Sequence, residues 1–381
     1  MRLAAIPAIM LSVAHLGAAA AQATTSVPSR IDPTGRMDVT SQLQRFVDSV
    51  PDGATIRFPV RATYRIDGTL QFRNRHGLTL DGNGTRLVAR TRGDANRAHV
   101  RLLDGGDWTI RRLVIRGANP NGGHWTGRAQ WQHGFDLRGV NGARLEHVTV
   151  TDVFGDDVYV GLSTTSARWS RDIAVVDSTG MRSGRMAISV TAGRRVTIDG
   201  GFWARPALST FDIEPNGPPG GADEVVIQHT RIGAGSRHYA LDITGRGSVA
   251  NVVLRDNTLT GRPLQVRVNQ GPERPRNIVV VGNRSTVPYS GPPPAPIVFR
   301  NTDGVTVRDN AQALRGGGDL ALVAIEGSTR ITPSDRAGQS ARPEEAWHPY
   351  AALSVITGLL VVALGWSQTR RRTTSGERPS R

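Results

Sequence analysis

The amino-acid sequence predicts an all-β solenoid, a chain wound into stacked coils, and three observations support this fold class. Short runs rich in Val and Ile recur about every 23–30 residues along the middle of the chain. Each run alternates apolar and other residues with a period of two, which is typical of half-buried strands. Gly and Pro together supply 66 of the 381 residues, which favours frequent turns over long helices.

One series of runs has a nearly constant spacing, because its members begin 29, 27, 26 and 27 residues apart. A coil of this length holds two or three short strands but cannot bury its apolar face alone, so neighbouring coils must stack. No stretch of 10–15 residues with helical periodicity fits between the runs, which makes a doubly wound sheet unlikely. The runs of this first series begin at Val196, Val225, Val252, Ile278 and Val305.

A second series lies between the members of the first. Asn257, Asn283 and Asn310 also recur at one phase of the repeat, which predicts a ladder of stacked, hydrogen-bonded side chains. A β-sandwich is the competing fold, but it would have hairpin turns of two to five residues and no such ladder. The runs of the second series are centred on residues 136, 159, 189, 212, 242 and 267.

The segment from Asp38 to Val50 is the one good candidate for a soluble helix. It places Val39, Leu43, Phe46, Val47 and Val50 on one face. The first coil of a solenoid has an open core, so we expect this helix to cover it.

Both ends of the chain have the pattern of export and anchoring signals. Residues 1–23 resemble a cleaved secretory signal peptide, with a basic start, an apolar run and a small-residue cleavage site. Residues 350–366 hold no charged side chain and precede three Arg residues, as expected for a membrane-spanning helix that leaves the tail, 367–381, in the cytoplasm. We therefore predict a single-pass cell-membrane protein with an exported β-helix ectodomain, 24–332, and a polar linker, 333–349.

The composition excludes several classes of site. The chain has no Cys, which rules out disulfides, thiolate nucleophiles and cysteine metal sites. All 47 basic residues are Arg, and after the signal and the tail are set aside the exported part keeps a net charge of +10. These Arg residues are spread through every coil without a basic stripe, which argues against nucleic acid as a partner. The His residues show no metal-ligand spacing, and most are expected at the surface or in turns.

The N-terminal part resembles the start of the pectate lyase superfamily, and its polygalacturonase branch opens similarly. The matching segments are 40–47, 51–59, 63–66 and 78–84, the last reading Leu-Thr-Leu-Asp-Gly-Asn-Gly. The resemblance covers roughly residues 35–327 and implies a right-handed parallel β-helix. One fold hosts many chemistries, so the reaction must be argued from the site.

An acidic strip follows from the second series, whose apolar residues face the core while the residues between them face outward. Asp212 and Asp242 fall on adjacent coils, about 5 Å apart at the backbone, and Asp157 lies two coils from Asp212. Carboxylates this close repel one another, and some should have a raised pKa, as acid–base pairs do. We predict Asp157, Asp212 and Glu214 as catalytic, with Arg185 as substrate clamp or base.

The resemblance bears on these roles. Arg serves as the base in pectate lyases, which permits that role for Arg185. Acidic strips in that group also bind Ca²⁺, so Asp156, Asp157, Asp212 and Glu214 are possible ligands, although no metal is certain. Gly-Asp-Asp at 155–157 matches a polygalacturonase motif. The Gly-His-Gly and Arg-Ile-Lys motifs of that branch are absent, however, which puts polygalacturonase activity in doubt.

An insertion of residues 117–132 lengthens one coil and carries Trp125 and Trp131. Insertions in solenoids gather on the binding face, and Trp rings suit sugar rings, although packing of the loop is an equal alternative. The predicted substrate-binding residues are Trp125, Trp131, Asp136, Arg138, Asp156, Tyr159, Asn216, Asp242 and Arg267.

The sequence therefore predicts a surface-anchored β-helix protein that binds an acidic polysaccharide and cleaves or modifies it. Hydrolysis, elimination and epimerisation all remain open. The alternative is a non-catalytic polysaccharide-binding or structural protein of the cell envelope.

Overall fold

The computed structural model describes residues 23–235, 239–269, 271–289, 296–312, 323–326 and 328–333. The predicted anchor at 350–366, the tail, the linker after Pro333 and the signal before Ala23 lie outside the described residues. Within the described part of the chain, no helix is both long enough and apolar enough to cross a membrane.

The described chain is a parallel β-helix, which confirms the predicted all-β solenoid. Every pairing between its named strands is parallel, and the strands form three sheets that run the length of the solenoid. A β-sandwich is thereby ruled out. The first sheet has twelve strands, Thr24–Ser26, Thr55–Arg57, Thr79–Asp81, Gly106–Arg111, Asn141–Glu146, Ser170–Val176, Ala192–Asp199, Gly221–Gln228, Ser248–Arg255, Arg276–Val281, Asp303–Arg308 and Thr329–Pro333.

The second sheet consists of very short strands, most of two or three residues. Such short runs carry little alternation of their own, and the sequence did not resolve them as a series. Its ten strands are Thr34–Asp38, Thr63–Arg65, Arg86–Val88, Val114–Arg116, Thr149–Thr151, Thr179–Met181, Phe202–Ala204, Arg231–Ile232, Thr258–Leu259 and Arg284–Ser285.

The third sheet carries the second predicted series. Its ten strands are Leu70–Arg73, Val100–Leu103, Phe135–Arg138, Val158–Gly161, Ile188–Val190, Phe211–Ile213, Leu241–Ile243, Val266–Asn269, Ile297–Arg300 and Val323–Glu326.

Strand register follows the sequence repeat. Val196, Val225, Val252, Ile278 and Val305 pair in line across the first sheet, as their spacing predicts. A slip of one residue would turn each Val or Ile from the core to solvent, so burial of this face holds the register. These side chains are all at most 1% exposed and form one continuous core with the inward residues of the other two sheets.

The N-terminal helix, Thr40–Ser49, lies where the third sheet would otherwise have a strand in the first coil. It is shorter than predicted at both ends, and Asp38 accepts a hydrogen bond from the Thr40 N–H at 3.0 Å instead of joining the helix. The Gln44 side chain donates to the Gln71 carbonyl and accepts from the Gln71 N–H, both at 2.8 Å. The helix therefore satisfies polar groups of the open sheet edge, which would otherwise invite pairing with another chain.

The predicted asparagine ladder is present. Asn283 Oδ1 accepts from the Asn257 N–H at 3.1 Å and from Asn257 Nδ2 at 2.9 Å, and Asn310 Oδ1 makes the same two bonds to Asn283. Upstream, Asn257 Oδ1 accepts from the Thr230 N–H and hydroxyl. The ladder pairs backbone N–H groups at one corner of consecutive coils, where no sheet hydrogen bond is available.

We expect the Asn283→Ala variant to lose about 1–3 kcal/mol of unfolding free energy, because it leaves the buried Asn257 N–H without an acceptor. Urea unfolding followed by circular dichroism measures this loss. The control is Asn141→Ala, since Asn141 is exposed and its side chain makes no hydrogen bond to any described residue. Equal stability of the two variants would show that the ladder contributes nothing.

Candidate functional site

The outward face of the third sheet carries the candidate site. The insertion, residues 117–132, lies in the connection from the second sheet to the third and includes the short 3-10 helix Gly127–Ala129. Loops 162–169 and 214–220 begin at the C-terminal ends of third-sheet strands and lead to the first sheet. These segments flank the face on both sides. We call its central column of in-register residues the site column: Arg101, Asp136, Tyr159, Ser189, Asp212, Asp242 and Arg267.

The site column points away from the core, as predicted, yet most of it is buried. Asp136 and Ser189 are fully buried, and Asp212 is only 2% exposed. Buried carboxylates must be paired or protonated, because removing an ionised group from water costs several kcal/mol. Whether each carboxylate has a cationic partner therefore decides whether it is ionised or protonated.

Arg185 lies at the centre of the face and is almost buried. Its Nη1 donates to Asp156 Oδ2 at 3.1 Å, and its Nη2 donates to Glu214 Oε2 at 2.6 Å. Asp156 also accepts from the Met186 N–H at 3.0 Å. These carboxylates raise the pKa of Arg185 despite its burial, so the guanidinium stays charged. A charged guanidinium cannot accept a proton, so the geometry disfavours the base role that the resemblance permits, and both Nη bonds of Arg185 go to carboxylates of the protein.

Asp242 forms a second ion pair in the site column. Arg267 donates to it through Nε at 2.8 Å and Nη2 at 2.7 Å, a two-pronged contact. Ser209 Oγ donates to Asp242 Oδ2 at 3.3 Å. The face of the Arg267 guanidinium stacks on Tyr239, 4.6 Å from the ring centroid, which holds the pair in place.

Asp212 lies between these two ion pairs and makes no ion pair of its own among the described residues. Its Oδ2 is buried and has no hydrogen-bond partner there. Burial, and then the like charges of Glu214 and Asp242, hold the pKa of Asp212 well above its usual range. Burial also raises the pKa of Glu214, although Arg185 opposes this rise. Glu214 has an ion pair with Arg185 and Asp212 has none among the described residues, so Asp212 holds its proton more strongly than Glu214 does.

Asp157 does not belong to this face, contrary to the prediction. Its carboxylate lies inside the coil, where a Cβ on residue 180 would collide with it. The residues that pair with Gly180 in the second sheet are Val150 and Trp203, both core side chains. The four predicted catalytic residues are therefore not assembled. Arg185, Asp212 and Glu214 come together, whereas Asp157 fills the space left by Gly180.

Asp157 is a buried acid without an ion pair among the described residues. Burial is the main reason that the pKa of Asp157 lies well above its usual range. Neither of its oxygens makes a well-formed hydrogen bond to a described residue, although the Ser183 hydroxyl is close enough to lower its pKa and the charge of Asp156 raises it. Alternation predicts direction only within a strand, and Asp157 precedes the strand Val158–Gly161 at a corner of the coil.

Asp136 and Arg138 form a separate cluster, three coils or about 14 Å from Asp212. Asp136 is held between Arg101 and Arg138 at 2.7 and 2.8 Å. Arg138 stacks on one side of the Tyr159 ring, and His133 stacks on this ring too, at 4.7 Å and 15°. Tyr159 is thereby fixed as a structural element.

The two Trp residues and Asn216 differ in position. The Arg185 guanidinium lies over the Trp131 ring, 5.8 Å from the ring centroid, so the insertion reaches the site. Trp125 is 38% exposed. Asn216 is exposed in the turn after Glu214, and no described contact joins it to the charged cluster.

The predicted Ca²⁺ ligands do not fit a metal site. Asp157 points into the core, and Asp156 and Glu214 are both engaged by Arg185. Among the described residues, no group of three or more acidic or His side chains is arranged to hold a metal ion. We derive no step through a metal.

Sequence reasoning missed three contributors. His133 was expected at the surface or in a turn, but it is fully buried, accepts from the Asp156 N–H at 3.0 Å and has a pKa lowered to about 4 by burial. Ser209 and Tyr239 hold the Asp242–Arg267 pair. Each lies two residues before a third-sheet strand, so the repeat in the sequence places them at equivalent positions of adjacent coils and could have predicted them.

Solved structures share this architecture. The chain superimposes on a family 28 exopolygalacturonase of Yersinia enterocolitica with a TM-score of 0.56 and 10% identity, over 86% of this chain and 77% of that chain. For an E. coli bacteriophage tailspike protein in complex with a pentasaccharide, the TM-score is 0.53 and the identity 11%, over 82% of this chain and 63% of that chain. An alginate lyase from Paenibacillus gives 0.49 and 15%, over 83% and 98%.

No protein-family model and no curated protein matches the sequence. At these identities the likeness establishes the fold and leaves the activity to the site. The chain therefore has the parallel β-helix fold, as its repeat and its N-terminal motifs predict.

Proposed function

We propose that this protein binds an acidic polysaccharide along the third sheet and hydrolyses it, while the predicted segment 350–366 holds it at the outer face of the cell membrane. One observation carries the proposal. Two neighbouring carboxyl groups, Asp212 and Glu214, have environments that separate their roles, since one has no cationic partner and the other pairs with Arg185. Acid–base pairs in enzymes are built in this way.

The chemistry follows from this asymmetry. Asp212 donates its proton to the glycosidic oxygen as the bond from that oxygen to the anomeric carbon breaks. Glu214 accepts a proton from a water molecule whose oxygen forms the new bond to this carbon. One water is consumed and one reducing end appears, so atoms and charge balance. Arg185, next to Glu214, orients that carboxylate.

An anionic substrate suits the charge around the acidic cluster. Arg73, Arg101 and Arg138 line one end of the face. Arg101 and Arg138 share the single carboxylate of Asp136, so this end keeps a positive excess. Arg can hold a sugar carboxylate through two parallel hydrogen bonds.

A second candidate is a binding protein without catalysis, and one observation favours it. Asp212 is only 2% exposed, while a general acid must come within hydrogen-bond distance of the substrate oxygen. In that case the buried ion pairs serve only to hold the sheet face together.

Product analysis on a panel of uronate polysaccharides separates these functions. We expect new reducing ends without the ultraviolet absorbance of an unsaturated uronate. The absorbance would instead indicate elimination. Binding without any product, measured on the same samples by affinity electrophoresis, would contradict hydrolysis and support the binding protein.

We expect turnover to have a bell-shaped pH profile. It is lost at low pH as Glu214 takes up a proton, and lost at high pH as Asp212, whose pKa is raised, gives its proton up.

A further inference from the structure

We propose that Asp242 and Arg267 are positioning residues that keep the proton on Asp212, and that they do not contact the sugar as the sequence predicted. This inference rests on the proposed function, in which Asp212 is the proton donor. It gives the pair a role in setting the protonation state of Asp212 on the neighbouring coil.

The first argument is register. Asp212 pairs directly with Asp242 across adjacent strands, and Asp242 pairs directly with Arg267 on the next coil. Side chains at directly paired positions of parallel strands are separated by about 4.8 Å at the backbone. Asp242 is therefore held opposite Asp212 by the sheet itself, with no freedom to slide away.

The second argument is that Asp242 is fully engaged. Both of its oxygens accept from Arg267, and Ser209 adds a third hydrogen bond. Such a two-pronged contact is made by an ionised carboxylate. The Arg267 guanidinium uses two N–H groups on Asp242 and its face on Tyr239. Asp242 thus presents a fixed negative charge to Asp212.

The third argument concerns the other charges that face Asp212. On one side Arg185 bridges Asp156 and Glu214, so each of these carboxylates has a cationic partner. Without Arg267, Asp242 would compete with Asp212 for the proton, and the pair would share it. The charged groups facing Asp212 are Glu214, Asp242, Arg185, Asp156 and Arg267.

The test is a carboxyl titration of the full chain, carrying ¹³C-labelled Asp, by NMR. The Asp212 resonance is assigned as the signal missing from Asp212→Asn. In Asp242→Asn we expect the midpoint of Asp212 to move to lower pH, because the like charge is gone. The control, Asp172→Asn, removes an exposed partner of Arg195 on the first sheet and should leave the midpoint in place. An unchanged midpoint in Asp242→Asn overturns the inference.

A second variant covers the case in which Asp242→Asn does not fold. Arg267→Gln leaves Asp242 without its cation, so the two carboxyls compete for the proton and we expect the Asp212 resonance to change in two steps instead of one. A single step at the wild-type midpoint would show that Arg267 does not keep the proton on Asp212, and the inference is wrong.

The catalytic readout separates this inference from the proposed function. On a cleaved polysaccharide, Asp242→Asn should move the alkaline limb of kcat/KM to lower pH with KM unchanged. A raised KM with an unmoved limb would indicate sugar contact and overturn the inference. A midpoint shift in a protein that cleaves no polysaccharide supports the inference and refutes the hydrolysis.

Discussion

The Asp212→Asn variant should lose turnover by at least about 100-fold while remaining folded, because an amide cannot donate the proton that the leaving oxygen needs. Asp212 forms no ion pair with any residue that the structure describes, so the substitution breaks no salt bridge there. We also expect the variant to unfold at a higher temperature at neutral pH than the wild type. Reducing-end assays and thermal unfolding on one preparation measure both effects.

Asp172→Asn is the matched control for this substitution. Asp172 is exposed on the first sheet and paired with Arg195, and the same change of side chain there should leave turnover at the wild-type level. Turnover retained in Asp212→Asn would remove Asp212 from the mechanism and leave the binding protein as the better function.

The Asp157→Asn variant should gain about 1–3 kcal/mol of unfolding free energy at pH 7, since the amide removes the cost of keeping a buried carboxyl protonated far above its unfolded pKa. The sign follows from the raised pKa of Asp157. The folded state binds more protons than the unfolded state, so stability falls as the pH rises above the unfolded value of 3.8. The gain should therefore grow with pH above 3.8 and vanish well below it. Urea unfolding at several pH values measures this dependence.

Asp172→Asn again serves as the control, because the pKa of Asp172 is lowered by Arg195 and its substitution should cost stability slightly instead. A gain that does not depend on pH would refute the buried-acid explanation. Turnover lost in Asp157→Asn would restore Asp157 to the catalytic group that the sequence predicted.

The sequence predicted the architecture because the backbone sets the repeat. Strands alternate with a period of two, and a coil must return to the same core every 23–30 residues, so Val196 and its partners could be aligned without coordinates. The ladder at Asn257, Asn283 and Asn310 was readable for the same reason, since one corner of each coil needs the same hydrogen bond.

Side-chain direction was harder to predict at the ends of strands. Asp157 was assigned to the outward face by extending the alternation past the start of Val158–Gly161, into a corner where the backbone no longer alternates. Its true direction depends on Gly180, a residue of the next coil whose missing side chain leaves room for the carboxylate.

The sequence by itself determined the solenoid, its register and the site column of the third sheet, because these depend on periodicity along one chain. Tertiary structure alone decided which carboxylate keeps a proton. Arg185 binds Asp156 and Glu214, and Arg267 binds Asp242, so no Arg of the described residues forms an ion pair with Asp212. Charge pairing and burial depend on atoms brought together from different coils, and no spacing along the sequence specifies them.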